Sequence, residues 1–79
     1  GASFEEKFLI KTNAQRINFR IPDEVLRSKL GIPFSELEAP TKEVSAVIER
    51  CKESLRFIII ENKANYLTFP EVPGTVVIF

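Results

Sequence analysis

The chain has 79 residues, 44% of them hydrophobic, and its 11 Lys and Arg balance its 11 Asp and Glu. This size predicts one small domain, and the zero formal net charge argues against a strong, delocalised surface for nucleic acid or anionic membranes but leaves room for a local patch. Because the chain has no histidine and a single cysteine, imidazole acid–base chemistry, an intrachain disulfide and the usual zinc ligand sets are excluded. We therefore predict no enzyme activity, no catalytic residues, no metal and no cofactor.

The two ends of the chain and the single cysteine, Cys51, indicate the domain boundaries and the cellular compartment. Residues 1–3 (Gly-Ala-Ser) are typical of a tag remnant, and we assign residues 4–79 to a single domain excised from a larger protein. The alternative is a natural chain whose last strand closes the sheet. No apolar run approaches the roughly 20 residues of a membrane span, and an unpaired cysteine favours a reducing compartment, so we expect a cytoplasmic location.

Residues 4–22 have the alternating pattern of a β-hairpin, with Asn13 and Ala14 as its turn. Residues 22–30 then predict a short helix, because acidic residues open it and Gly31 follows as a C-terminal stop. We interpret residues 33–40 as a loop, with a single helical turn as the alternative where Ser35 and Glu38 have capping-box spacing. Thr41 caps a main helix over residues 42–55, which aligns its apolar residues in one stripe: Val44, Val47, Ile48, Cys51 and Leu55.

The last third of the sequence predicts three strands. Residues 57–60 are apolar without alternation, as in a strand covered on both faces, and Asn62 and Lys63 form a turn into a strand over residues 64–69. Residues 75–79 form the last strand. The expected fold is therefore α+β, with a β-β-α-α-β-β-β order, an antiparallel or mixed sheet of four to five strands packed on one main helix, and a second short helix.

One candidate surface is basic. If Asn13 and Ala14 are the turn, Phe8 faces Phe19 on the core side, and four cations share the other side of the hairpin: Lys7, Lys11, Arg16 and Arg20. They are candidates for binding an anion such as a nucleic-acid backbone. The alternative, which we favour, is that three acidic residues neutralise them, within one molecule or across a dimer: Glu36, Glu38 and Glu43.

The other candidate surface is apolar. In a hairpin turning at residues 62–63, Phe57, Ile59 and Tyr66 lie together on the face away from Ile58 and Ile60. One helix cannot cover both faces of a sheet, so these three side chains form a patch that either binds another polypeptide or is closed by the short helix. Cys51 lies on the apolar stripe of the main helix, which indicates a buried thiol and not a nucleophile.

Residues 17–32 (Ile-Asn-Phe-Arg-Ile-Pro-Asp-Glu-Val-Leu-Arg-Ser-Lys-Leu-Gly-Ile) resemble the strand and short helix of swapped-hairpin bacterial transcription regulators. The match covers about a fifth of the chain, has one residue too many before Leu-Gly-Ile and lacks the Gly-Asp that should follow. The resemblance implies a dimer that binds DNA.

From these observations we predict a non-enzymatic module for protein–protein interaction or oligomerisation, part of a larger protein, with Phe57, Ile59 and Tyr66 as contacts. Its partner is another protein, a second copy or the parent chain. The alternative function is a small dimeric nucleic-acid-binding regulator that uses Lys7, Lys11, Arg16 and Arg20.

Overall fold

The computed structural model describes residues 15–79. In chain order its elements are β1 (Arg16–Arg20), α1 (Glu24–Leu30), β2 (Glu36–Pro40), α2 (Thr41–Cys51), β3 (Arg56–Ile59), α3 (Lys63–Leu67) and β4 (Thr75–Ile78).

The four strands form one mixed sheet in the order β2-β1-β4-β3. β1 is antiparallel to both of its neighbours, whereas β3 and β4 run parallel and are joined by the crossover that contains α3. The predicted α+β class, with a mixed sheet packed against helices, is confirmed.

Helix α2 covers one face of the sheet because its apolar stripe matches the residues that β1 presents there. Val44 and Ile48 are buried against Ile17 of β1 and Ile78 of β4. The helix ends at Cys51, before the predicted Leu55, and in the turn that follows the Cys51 carbonyl accepts from the amides of both Ser54 and Leu55, at 3.0 and 2.8 Å.

Helix α1 begins and ends where the sequence predicts. The Asp23 side chain accepts from the amides of Val25 and Leu26, and Gly31 closes the helix with a φ of 70°, the left-handed conformation that glycine adopts without steric cost.

Two predicted elements are wrong in type. Residues 33–40 are not all loop, because residues 36–40 form the edge strand β2. Residues 64–69 are not a strand: Asn62 caps helix α3, its Oδ1 accepting from the Asn65 amide at 3.1 Å. Asn62 and Lys63 therefore start a helix and do not form a hairpin turn.

The predicted hairpin of residues 4–22 is also wrong in its pairing. Its first half lies outside the described residues, but β1 has neighbours on both sides: Phe19 pairs with Leu37 and Ile78, and Arg20 with Glu36 and Val77. The places expected for Phe8 and Lys7 beside these residues are thus taken by β2 and β4.

The reverse face of the sheet is closed around Tyr66 of α3. The Tyr66 side chain is fully buried, its ring centroid lies 5.1 Å from that of Phe79, and the Arg20 guanidinium donates to the Tyr66 carbonyl at 2.7 Å. Strand β3, which precedes α3, is only half-buried, whereas the sequence predicted a strand covered on both faces.

No helix within residues 15–79 is long and apolar enough to cross a membrane.

Candidate functional site

An open apolar groove runs beside helix α2 and has a volume of about 360 Å³. Its size falls in the usual range for binding pockets, about 300–1,000 Å³. All but one of its lining residues are apolar: Phe19, Ile21, Leu30, Ile32, Ala39, Glu43, Val44, Val47, Ile48, Leu55, Phe57 and Val76.

The groove follows from how the elements pack. The sheet contributes Phe19, Phe57 and Val76 from three adjacent strands, which point to the face that carries α2. Helix α2 forms one wall, and the end of α1 with Ile32 contributes on the far side. Because α2 has only 11 residues and packs over β1 and β2, part of this apolar face lies beside the helix and not under it.

Two side chains of the groove are half-exposed. Val47 is 50% exposed and Leu30 is 52% exposed. Complete burial of a Val or Leu side chain contributes about 1.5–3 kcal/mol, so covering the exposed half of each contributes about 1 kcal/mol. Covering the groove with apolar side chains would therefore be favourable. The predicted stripe of α2 contained Val47, but the sequence did not show that Leu30 and Ile32 lie across from it.

Glu43 is the one charged residue among those that line the groove. It lies in the first turn of α2, where the helix dipole favours an acidic side chain. Glu43 belongs to neither the Arg16–Glu38 nor the Lys52–Glu49 ion pair. The expectation that Glu43 neutralises the basic strand face is therefore wrong, because it lies on the opposite face of the sheet.

The structure separates the predicted apolar patch. Phe57 lines the groove, and Phe57 and Ile59 are both packed against the core cluster under α2. Tyr66 is fully buried on the other face of the sheet. The prediction that Phe57, Ile59 and Tyr66 form one exposed patch is therefore wrong. Of the three, Phe57 alone lies at an open apolar surface.

The basic face is largely occupied by contacts within the chain. Nε of Arg16 lies 2.6 Å from Oε1 of Glu38, and Arg20 lies opposite Glu36 while donating to the Tyr66 carbonyl. Neutralisation by Glu36 and Glu38, the alternative favoured from the sequence, fits this arrangement. The other two candidates, Lys7 and Lys11, lie outside the described residues.

The hydroxyl of Tyr66 is the one polar side-chain atom in residues 15–79 that is buried without a hydrogen-bond partner. Burial raises the pKa of Tyr66 well above its usual value of 10.0, and the nearby Glu36 carboxylate raises this pKa further. The phenol is therefore neutral at physiological pH and has no role as a base.

Two further kinds of site concern residues 15–79: a metal-binding cluster and a free thiol. No group of three or more His, Cys, Asp or Glu side chains among residues 15–79 is placed to hold a metal ion. Cys51 is a partly buried free thiol at the end of α2.

Comparison with known proteins gives one result. The chain matches neither a curated protein nor a solved structure. The model of one protein family, described as the C-terminal part of the Wadjet protein JetD, matches residues 9–79, about nine tenths of the chain. This match covers far more of the chain than the resemblance of residues 17–32 to transcription regulators, which it replaces. A C-terminal part of a named protein is consistent with the predicted domain of a larger protein. The chain belongs to the family of JetD C-terminal domains.

Proposed function

We propose that this domain is a non-enzymatic interaction module within a larger protein, and that its contact surface is the groove beside α2. The groove binds an apolar stretch of the parent polypeptide. This proposal assigns residues 15–79 a binding role and no catalytic role.

The observation that carries the proposal is the apolar lining of an open groove in so small a domain. Val47 and Leu30 expose about half of their surface at a position where Phe19, Phe57 and Val76 lie close by. A domain of this size has little stability in reserve, and a contiguous apolar opening typically marks a binding site.

The size of the groove favours an occupant from the same polypeptide. Covering the two half-exposed side chains and burying two side chains of the occupant contributes about 5–8 kcal/mol. Association of separate molecules costs an estimated 4–15 kcal/mol, which leaves little net affinity. A tethered segment has an effective concentration in the millimolar range, so a weak contact of this kind is still well populated.

The lining also defines the chemistry of the occupant. It must bring apolar side chains for the floor of the groove and a cation for Glu43, the only charged residue of the lining. An acidic or fully polar segment does not fit.

The alternative function, a dimeric nucleic-acid-binding regulator, has less support. Phosphate contacts require available cations, but Arg16 is paired with Glu38 and Arg20 is engaged by the Tyr66 carbonyl. It remains a prediction that rests on Lys7 and Lys11.

The test compares the accessibility of two valines in the full-length protein that contains this domain. Val47 lines the groove, whereas Val25 of α1, 64% exposed, does not. In the variants Val47→Cys and Val25→Cys, alkylation by iodoacetamide is followed by peptide mass spectrometry. We expect the thiol at position 47 to react at least tenfold more slowly than the thiol at position 25, and the difference to disappear in urea. Rates within about twofold in the folded protein would overturn the proposal.

A further inference from the structure

We propose that residues 23–34, the excursion of the chain that contains α1, form a lid that opens to admit the occupant of the groove and closes on it. This inference rests on the proposed function, because it concerns the regulation of the same groove. Residues 23–34 are called the lid below.

The lid is joined to the sheet at its base. Ile21 is buried, and its amide donates to the Ser35 carbonyl at 2.9 Å, which holds the two ends of the excursion together. The Arg27 side chain turns back to this base and donates to the Ile21 carbonyl at 2.7 Å. None of residues 23–34 is buried. Segments that bury little apolar surface open locally at a lower free-energy cost than the core, so the lid moves while the sheet and α2 remain folded.

The far end of the lid carries apolar side chains at the groove. Leu30, the last residue of α1, and Ile32 both line the groove, across from Val47 of α2. Leu30 is 52% exposed, and Phe34, also in the lid, is 66% exposed. An apolar occupant between the lid and α2 buries surface of the lid as well as surface of the groove, so an apolar occupant favours closure.

Two carboxylates fasten the start of the lid to a fixed part of the fold. Oε1 of Glu71 accepts from the Glu24 amide at 2.7 Å, and Oδ2 of Asp23 accepts from the Gly74 amide at 2.9 Å. Residues 71–74 lead directly into β4, in which every residue is buried. Because Glu71 is exposed, water competes for its hydrogen bond, which breaks without any change in the core. The Glu71–Glu24 hydrogen bond is therefore the latch of the lid.

The first test measures amide hydrogen exchange by peptide mass spectrometry in the full-length protein that contains this domain. We expect the amides of α1 to exchange at least tenfold faster than those of α2, because the lid opens without unfolding of the core. Exchange of α1 at the rate of α2 would overturn the inference.

Two matched substitutions connect the latch to the groove. Glu71→Ala removes the acceptor for the Glu24 amide, whereas Glu71→Gln retains an acceptor oxygen. Glu71→Ala should speed the exchange of α1 at least threefold and leave that of α2 unchanged. Combined with Val47→Cys, it should also speed alkylation of the thiol at position 47 at least threefold. Glu71→Gln should change both rates less than twofold, and circular dichroism checks that the variants remain folded.

The lid and the proposed function fail in different ways. If position 47 reacts more slowly than position 25 but is unaffected by Glu71→Ala, the groove has an occupant and the inference of a lid is overturned. Equal effects of Glu71→Ala and Glu71→Gln overturn it as well. If positions 47 and 25 react alike in the folded protein without a change at Glu71, the proposed function itself falls, and the lid with it.

Discussion

At the residue scale, Asp23 links two distant parts of the chain. One carboxylate oxygen caps α1, and the other accepts from the Gly74 amide at 2.9 Å, which holds the start of α1 to the turn before β4. The hydrogen bond from Gly74 lowers the pKa of Asp23 below its ordinary value of 3.8, and the amides of Leu26 and Val25 lower it further. The cap was predictable from the sequence, but the contact with Gly74 was not, because 51 residues separate the partners.

This lowered pKa predicts an acid-dependent loss of stability. The folded state holds the Asp23 proton less tightly than the unfolded chain, so the contribution of the carboxylate is complete above pH 3.8 and is lost as the pH falls through the folded pKa. Asp23→Asn retains a capping oxygen but turns its NH₂ group toward the Gly74 amide. In thermal melts followed by circular dichroism, we expect this variant to melt at a lower temperature than wild type at pH 6. The gap between the two melting temperatures should close toward pH 2. A gap that is independent of pH would contradict this assignment.

The buried Tyr66 hydroxyl gives a second prediction at this scale. This oxygen has no hydrogen-bond partner of good geometry among the described residues, although the Glu36 carboxylate is close enough to raise its pKa, so the desolvation of the hydroxyl is poorly compensated in the folded chain. Tyr66→Phe should therefore raise the free energy of unfolding by about 1 kcal/mol, whereas Tyr66→Ala, which removes the buried ring, should lower it by about 3–5 kcal/mol. Urea unfolding measures both. A loss of stability in Tyr66→Phe would mean that the hydroxyl is hydrogen-bonded in solution, with Glu36 as the nearest candidate.

At the element scale, the sequence predicts elements with strong local signals and misses those with ambiguous ones. Helix α1 has the side-chain cap Asp23 and α2 has a helical apolar period, although Thr41, the predicted cap of α2, is its first helical residue and Pro40 takes the cap position without a side-chain hydrogen bond. Strands β3 and β4 are rich in β-branched residues, and β1 alternates apolar and polar side chains. The pattern of β2 was available in the sequence, since Leu37 and Ala39 alternate with two glutamates, but the prolines around it indicated a loop. Helix α3 has five residues, too few for a period of 3.6 to be distinguished from alternation.

Helix α3 should depend on its cap. A side-chain acceptor at the N-terminus of a helix contributes about 1 kcal/mol, and Oδ1 of Asn62 is this acceptor for the Asn65 amide. We expect Asn62→Ala to lower the free energy of unfolding by about 1 kcal/mol and Asn62→Asp, which keeps an acceptor, to change it by a few tenths of a kcal/mol. Chemical denaturation tests the pair, and equal stabilities for the two variants would argue against the cap.

At the scale of the whole molecule, the arrangement of the elements was beyond the reach of local patterns. The sheet order β2-β1-β4-β3 brings the last strand between the first and the third, and α3 makes the crossover between two parallel strands. This order buries every residue of β4 and sends Tyr66 to the face opposite Phe57. The candidate site could therefore be predicted only as an apolar surface that includes Phe57. Its other members, Leu30 and Ile32 among them, come together through tertiary packing.

The central claim, that an apolar stretch of the parent polypeptide covers the groove, is tested most directly by urea unfolding of the full-length protein with Val47→Gln and Val25→Gln. Glutamine is neutral, so the proximity of Glu43 does not affect the comparison, and both valines are at least half exposed among the described residues. Our account predicts that Val47→Gln lowers the free energy of unfolding by about 1–2 kcal/mol, because a covered position loses apolar burial, and that Val25→Gln changes it by less than about 0.5 kcal/mol. Equal effects at the two positions would contradict it, because position 47 would then be as open to solvent as position 25.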